Sequence, residues 1–421
     1  MHRIWVAVII LASLGGEASA IRAASLSYKF GVGYDFLSQQ YFLDSAAQAG
    51  ADSILANWSL KTDYLNDPKG ILQVKYCPSS DRRLDLRGLL EQTESQFRLK
   101  LDGSTVQHWG DVRFDWNNQM DWRDRFKGSS EPGDSYLAGS SRARIRKPLS
   151  DTYFLWSQVA ADFVHFSTPS FYAFDNERLG FKFGLERFQE LSLTNFDLFF
   201  LGRRVPDSSL MSYASGGAEA SYFGTFDWGQ VDFGGRFERK NYGRPDHQDD
   251  YSRVELDTRD KVSIAGPYYT RPEIEFEGTW FDANDPVNLN YTRTRLALLL
   301  GRDMKDWSVA IGPAGELLTE ALDTLTQGEN YFESGGRFEL DYVDAGRVFA
   351  SLEWNAGYRK LKFENDQQSS FSYQRLSLLG DWTFWKSFEF NILLSGDWEW
   401  HTRSSDNNRL YLLSTSLLYS F

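Results

Sequence analysis

Apolar and polar side chains alternate with a period of two over long stretches of this chain. In residues 347–359, the apolar set Val348, Ala350, Leu352, Trp354, Ala356 and Tyr358 alternates with Arg347, Ser351, Glu353, Asn355 and Arg359. Successive side chains on a strand point to opposite faces, so one face is apolar and the other polar. Strands of soluble sandwiches average ~5–6 residues, whereas these segments are long enough to cross a membrane at a tilt. The pattern predicts an all-β fold, a transmembrane antiparallel up-and-down β-barrel.

Composition excludes the main competing classes of protein. The 421-residue chain has a mean hydropathy of −0.46, and no apolar run near 20 residues follows its N-terminus, which excludes a bundle of transmembrane helices. Its net charge of −13 is too acidic for a general nucleic-acid binder. A single cysteine excludes an internal disulfide and a cysteine-rich zinc site. The 16% of aromatic residues suits a barrel with aromatic girdles at both membrane interfaces.

Turn signals recur at the spacing of long hairpins. We place short turns at 66–70, 102–104, 147–150, 190–192, 227–229, 302–305, 344–346 and 385–387, with another within 257–267. Longer polar segments, such as 126–138, 241–250 and 364–369, lie between them. Short turns at one end and long loops at the other are typical of outer-membrane barrels. The predicted barrel has about 18–20 strands: the turns give 20, and 18 is the alternative because residues 72–101 are irregular.

The N-terminus has the pattern of a cleaved secretory signal. Residues 4–14 are apolar but too short to span a bilayer, and Ala18-Ser19-Ala20 is a small-x-small cleavage site. We expect residues 1–20 to be removed and residues 21–421 to form the outer-membrane barrel, with Ile21 as the first mature residue.

The C-terminal strand carries the most specific pattern in the chain. Leu417, Tyr419 and the terminal Phe421 share one face at period two with Tyr411 and Leu413. This ending resembles the last strand of Gram-negative outer-membrane proteins, the family to which porins belong. The resemblance implies that Leu417, Tyr419 and Phe421 form the insertion signal read by the barrel-assembly machinery, and that the protein is located in the outer membrane.

The polar face of the predicted strands is heavily charged. Glu273, Glu275 and Glu277 form an acidic ladder at period two on one strand, and Arg142, Arg144 and Arg146 form a basic ladder on another. Arg293 and Arg295 form a shorter basic ladder, and Arg236, Glu238 and Lys240 form a mixed set. We predict that these charges line a channel for polar or charged solutes; the alternative is a lumen filled by salt bridges. The predicted pore-lining residues are Arg142, Arg144, Arg146, Arg236, Glu238, Glu273, Glu275, Glu277, Arg293, Arg295, Glu339 and Glu353.

Three other functions stay open at this stage. Residues 84–114 are similar in texture to strands of alginate-export-type barrels, which suggests an export pore for a secreted polysaccharide. His165 and Ser167 resemble the His-x-Ser element of outer-membrane phospholipases, although Thr168-Pro169 departs from that pattern. A barrel lipid hydrolase is therefore a minor alternative. The main prediction is a channel, which has no catalytic residues. The last is a structural scaffold with a plugged lumen.

The expected partners follow from the predicted location. They are outer-membrane lipid and lipopolysaccharide, the barrel-assembly machinery and, for an export pore, periplasmic secretion components, with a homotrimer as one open assembly. We expect no nucleic acid, no metal and no cofactor.

Overall fold

The structure is a computed structural model. It describes residues 25–44, 58–77, 83–93, 96–125, 135–167, 175–206, 209–243, 250–283, 288–321, 330–344, 347–362, 364, 369–384, 387–403 and 407–420. The predicted signal segment and Phe421 lie outside these ranges. Among the described residues, no helix is long and apolar enough to cross a membrane.

Nearly all of the described chain is β-strand. The strands are β1 Ser25–Asp44, β2 Trp58–Cys77, β3 Arg83–Gln92, β4 Gln96–Trp109, β5 Val112–Arg125, β6 Tyr136–Pro148, β7 Tyr153–Phe166, β8 Asn176–Gln189, β9 Ser192–Arg204, β10 Tyr213–Phe226, β11 Gly229–Asn241, β12 Tyr251–Arg259, β13 Lys261–Ala265, β14 Tyr268–Phe281, β15 Tyr291–Asp303, β16 Trp307–Glu320, β17 Tyr331–Asp344, β18 Val348–Leu361, β19 Phe371–Phe384, β20 Phe388–His401 and β21 Asn408–Ser420. One short 3₁₀ turn, Ser209–Met211, precedes β10.

The strands form one closed antiparallel barrel. Each strand pairs with its neighbours in the chain, and β1 pairs with β21, with Lys29 opposite Ser420. Strands β12 and β13 both lie between β11 and β14, and Asp260 separates them, so they make one wall strand. The 21 segments therefore give 20 wall strands. The predicted fold class is confirmed, and 20 rather than 18 is the strand count.

The two ends of the barrel differ in the length of their connections. Short turns such as 110–111, 190–191 and 227–228 join strands at one end, and longer segments such as 242–250 and 282–290 join them at the other. Both described ends of the chain, Ser25 and Ser420, lie at the short-turn end. This asymmetry is the outer-membrane topology that the turn spacing predicted.

Two of the predicted turns are wrong. Residues 66–70 lie inside β2, where Gly70 pairs with Val32 on one side and Gln92 on the other. Residues 102–104 lie inside β4, where Gly103 pairs with Leu86 and Asn118. Residues 66–69 pair with β1, whereas Gly70 and residues 102–104 pair on both sides, and these cross-strand hydrogen bonds override the local preference to turn. The turn after β4 contains Gly110, whose φ of 59° lies in the left-handed region that glycine tolerates.

The outer face of the wall is apolar and exposed. At the middle of β7, β8 and β9, Val159, Phe181 and Phe200 stand side by side and are 44%, 41% and 57% exposed. Along the described residues of β7, β8 and β9 the backbone pairs with strands on both sides, because the sheet closes on itself. A continuous apolar surface on a closed barrel is the surface that hydrocarbon requires.

Candidate lumen site

Ion pairs between strands that are not neighbours identify the inner face. Arg271 and Glu273 on β14 pair with Glu339 and Arg337 on β17, across the two intervening strands β15 and β16. The Arg337 Nη1 to Glu273 Oε2 distance is 2.9 Å. Side chains separated by two strands approach each other only on the concave side of a curved sheet. Residues in register with these four therefore face the lumen.

The predicted acidic ladder lies on this inner face, and its members differ in burial. Glu273 and Glu277 are 7% and 8% exposed, whereas the Glu275 side chain is 45% exposed. Glu273 contacts Arg271 at 2.7 Å, Arg337 at 2.9 Å and Arg259 at 3.5 Å.

Basic side chains surround the other two members of the ladder. Glu277 pairs with Arg253 at 2.9 Å and with Arg293, and it accepts a hydrogen bond from the Tyr291 hydroxyl. Glu275 pairs with Arg295 at 3.4 Å. Like charges two residues apart on β14 are thus compensated by arginines from both neighbouring strands.

The same pattern continues on the next strands. Arg295 also pairs with Glu316 of β16, which accepts a hydrogen bond from the Tyr331 hydroxyl. Glu339 pairs with Arg337 at 2.5 Å, and Glu353 of β18 lies 3.4 Å from Arg337. The predicted residues Arg293, Arg295, Glu339 and Glu353 therefore belong to one network with the acidic ladder.

The mixed set on β11 extends the network in the other direction. Arg236 contacts Glu219 of β10 at 2.9 Å and Glu238 at 3.0 Å. Glu238 is 7% exposed. We call the inner faces of β11 to β18 the paired wall, because its buried carboxylates are held by arginines.

The predicted basic ladder on β6 divides into two parts. Arg144 and Arg146 share Glu186 of β8, with Arg146 Nε 2.9 Å from Glu186 Oε2. The Arg144 guanidinium also stacks 4.2 Å from the Trp156 ring and that of Arg146 3.9 Å from the Phe154 ring, which adds cation–π attraction. Arg142 is exposed, and its side chain makes no hydrogen bond or ion pair within the part of the chain that the structure describes.

A polar recess surrounds Arg142 on the inner faces of β3 to β6. Its volume is about 400 Å³. Of the inner-face residues of this recess, the sequence predicted only Arg142 as pore-lining. The period-two polar residues Asp115, Asn117, Gln119 and Asp121 on β5 are the signal that could have indicated the others. The inner-face residues of this polar recess are Arg87, Asp102, Ser104, Asn117, Gln119, Ser140 and Arg142.

The recess lies on the opposite side of the barrel from the paired wall. Counting β12 and β13 as one wall strand, ten steps separate β5 from β16 in either direction round the 20-strand wall. The lumen therefore has a wall of buried, compensated charges facing a wall of exposed polar groups.

His165 and Ser167 have different partners in the structure. His165 lies on the outer face of β7, and its Nδ1 is 3.2 Å from Asp175 Oδ2. The Ser167 hydroxyl donates to the backbone carbonyl of Ser135 at 2.9 Å. No hydrogen bond joins the two side chains, so the described geometry lacks the contact by which a histidine activates a serine.

Two members of the predicted insertion signal face outward. Leu417 and Tyr419 are each 37% exposed, and the Tyr419 ring centroid lies 4.9 Å from that of Phe388 on β20. Phe421 is outside the described residues. Recognition of these residues by the assembly machinery stays a prediction.

Comparisons with known proteins identify the fold. The chain has a TM-score of 0.57 with a protein described as the copper transporter OprC, at 10% identity, covering 95% of this chain and 81% of that one. The TM-score is 0.52 with Acinetobacter baumannii OccAB3 at 9% identity, covering 94% and 100%. It is 0.50 with a BenF-like porin from Pseudomonas fluorescens Pf-5 at 10% identity, covering 94% and 99%. No family model matches the sequence, and no curated protein matches it.

These similarities, at 9–10% identity, show a shared fold. The predicted resemblance to outer-membrane barrels of the porin type is confirmed at that level. The outer-membrane location predicted from the C-terminal strand agrees with it.

Proposed function

We propose that this protein is an outer-membrane channel that passes small polar or charged solutes by diffusion through its lumen. One observation carries the proposal: a closed wall of 20 strands has an exposed apolar outer face and a charged inner face. Charged inner groups are stable next to water and costly next to hydrocarbon.

The size of the barrel supports a hydrated interior. Side chains fill a barrel of about 8 strands, whereas barrels of about 16–18 strands leave an aqueous channel. A wall of 20 strands encloses a lumen that is wider than the side chains of that wall can fill.

The length of the match to the porin supports the same function. The BenF-like porin is covered over 99% of its chain, so this protein has the extent of that channel. OprC, described as a copper transporter, is covered over 81%, so part of that protein has no counterpart here.

The test is the conductance of the mature protein in a planar lipid bilayer. We expect stepwise current increases on insertion, because each molecule adds one water-filled path. Protein that is folded and inserted but conducts nothing would contradict the proposal.

Two adjacent alanines provide a matched pair of variants. Ala160 faces the lumen opposite Arg142, and Ala161 faces outward. Ala160→Trp should lower the conductance of each step, because it adds bulk inside the path, whereas Ala161→Trp should leave it unchanged. Equal effects of the two variants would show that current does not pass through the lumen.

A further inference from the structure

The apolar outer face of the barrel is interrupted by one amide side chain, that of Asn118 on β5. Asn117 and Gln119 face the lumen, so Asn118, which lies between them, faces the membrane. It is exposed, and its side chain makes no hydrogen bond among the described residues. On the outer faces of β3 to β21, every other described amide or charged side chain belongs to the first four or the last four residues of its strand.

Asn118 lies near the middle of the membrane. Two aromatic residues on the same face of β5, Phe114 and Trp122, stand four positions from it on either side. Phe114 stacks on Trp109 of β4 with ring centroids 5.3 Å apart. Trp122 packs against Phe97 of β4 at 5.6 Å. Such rings mark the two interfacial girdles. A rise of about 3.4 Å per residue along a tilted strand puts the amide roughly 10 Å from each girdle, inside the hydrocarbon.

An amide at this depth needs a hydrogen-bonding partner. Its oxygen accepts and its NH₂ group donates, whereas the acyl chains of lipid do neither. Leaving both groups unpaired in hydrocarbon is costly. On the opposite side of the barrel, Leu298 of β15 and Ile311 of β16 are 50% and 58% exposed and suit lipid. The face that contains Asn118 therefore differs from the rest of the wall in what must cover it.

The residues beside Asn118 form a surface that suits a protein partner. Ser141 of β6 stands directly opposite Asn118 in the sheet, and the Trp116 indole N–H donates to the Ser141 hydroxyl at 3.0 Å. Trp116 is 44% exposed, and exposed tryptophans often anchor protein interfaces. Ala161 of β7, next in the same row, is exposed as well and has a short side chain. We call Trp116, Asn118, Ser141 and Ala161 the amide face.

We propose that a second copy of this chain covers the amide face and that the protein is a two-fold dimer in the membrane. A two-fold axis along the membrane normal keeps both copies at one height and brings this face against itself. Since an amide both donates and accepts, Asn118 pairs with Asn118 of the partner subunit. A ring that joins two different faces needs a second amide or charge at mid-height, and the described outer faces of β3 to β21 hold none.

Photocrosslinking of the purified protein in lipid vesicles tests the contact. The photoreactive residue p-benzoylphenylalanine replaces Met120, which neighbours Asn118 on the outer face of β5, or Leu298 as the control on the opposite side. It reacts with C–H bonds and so reports contacts within hydrocarbon. We expect a band at twice the mass of the chain from position 120 and none from position 298. Adducts with lipid alone at position 120, or equal bands from both positions, would overturn the proposal.

Substitutions at Asn118 test its hydrogen bonds. The crosslink at position 120, followed over a series of protein-to-lipid ratios, gives the ratio at which half of the molecules are paired. Asn118→Leu should raise this ratio about tenfold, since each of two hydrogen bonds between membrane segments contributes a factor of about 3. Asn118→Gln keeps the amide and should raise it less. The matched control is Gln374→Leu, which removes an exposed outer-face amide near the end of β19 and should leave the ratio unchanged.

The control decides between a specific contact and a general effect of the outer surface. Equal shifts from Asn118→Leu and Gln374→Leu, or no shift from Asn118→Leu, would overturn the proposal. The mobility of unheated samples on a denaturing gel confirms that each variant is a folded barrel. Pairing is independent of the channel function: single copies that conduct would contradict only the dimer, and pairs that conduct nothing would contradict only the channel.

Discussion

The paired wall and the polar recess face the same lumen but use their polar residues differently. On the paired wall, Glu273, Glu277 and Glu316 are each at most 8% exposed and are held by arginines or tyrosine hydroxyls from neighbouring strands. In the recess, Arg142 and the amides are solvated. Charge on the inner face of a barrel thus has two separate roles, holding strands together and meeting solutes, and the number of charges does not distinguish them.

Because of this difference, the net charge of −13 says little about which ions the lumen favours. Carboxylates of the acidic ladder are compensated within the wall, so they contribute little to the field that a passing ion meets. Solvent-accessible charges, such as Arg142 and Asp102 in the recess, are the ones that such an ion meets.

The largest effect should follow the loss of Glu273. In Glu273→Ala, Arg271, Arg337 and Arg259 lose a shared buried carboxylate, and we expect the free energy of unfolding to fall by about 3 kcal/mol. Urea unfolding in lipid vesicles, followed by tryptophan fluorescence, measures it. Glu353→Ala, whose side chain is 43% exposed, is the control and should cost less than about 1 kcal/mol. Similar losses from both variants would show that burial does not decide how much a carboxylate of the paired wall stabilises the barrel.

A smaller effect should follow the loss of one buried hydroxyl. Tyr331 is 9% exposed and donates to Glu316, so Tyr331→Phe should lower the free energy of unfolding by about 1.5 kcal/mol. Tyr136 faces the lumen from β6 and makes no side-chain hydrogen bond within the described residues. Tyr136→Phe should cost less than about 0.5 kcal/mol in the same assay. A larger loss from Tyr136→Phe would contradict the comparison, because it would show that a hydroxyl outside the paired wall also stabilises the barrel.

An exposed pair inside the paired wall should matter less still. Glu275 and Arg295 are 45% and 47% exposed and lie 3.4 Å apart. We expect Glu275→Gln to change stability by less than about 1 kcal/mol, and the effect to shrink as salt is raised. Urea unfolding at low and high salt checks both points. A loss as large as that of Glu273→Ala would mean that contacts on this wall matter regardless of burial.

Stability should be least sensitive in the recess. Arg142→Gln should change the free energy of unfolding by less than about 0.5 kcal/mol, yet shift the reversal potential in a KCl gradient toward cation preference. Arg239→Gln is the control, because Arg239 faces outward and pairs with Asp282. The control should leave the reversal potential unchanged. A shift of equal size in both variants would assign the effect to surface charge rather than to the lumen.

Sequence alternation predicted the faces of the strands but not the partners of their charges. The inner position of Glu273 follows from its period-two spacing with Glu275 and Glu277. Its contact with Arg337, 64 residues away, does not, because it depends on curvature that brings β14 and β17 together. Arg142, Arg144 and Arg146 are equivalent by spacing, and only the position of Glu186 on β8 separates them.

Local signals failed where sheet pairing was stronger. The polar, glycine-containing segments 66–70 and 102–104 have turn composition, but each lies in a strand flanked by two others. Backbone hydrogen bonds to neighbouring strands outweigh a turn preference that acts over a few residues. The turn that follows β4 was instead set by Gly110 with its positive φ.

The sequence by itself determined the closed, two-faced barrel, because a period-two pattern in long strands leaves an apolar face that only lipid can cover and backbone groups that only closure can pair. The tertiary structure decided which inner charges are compensated and which are free. That outcome depends on register and curvature, since a carboxylate is neutralised only where arginines from other strands reach it. Arg142 remains free because the residues opposite it on the neighbouring strands are Asn117 and Ala160.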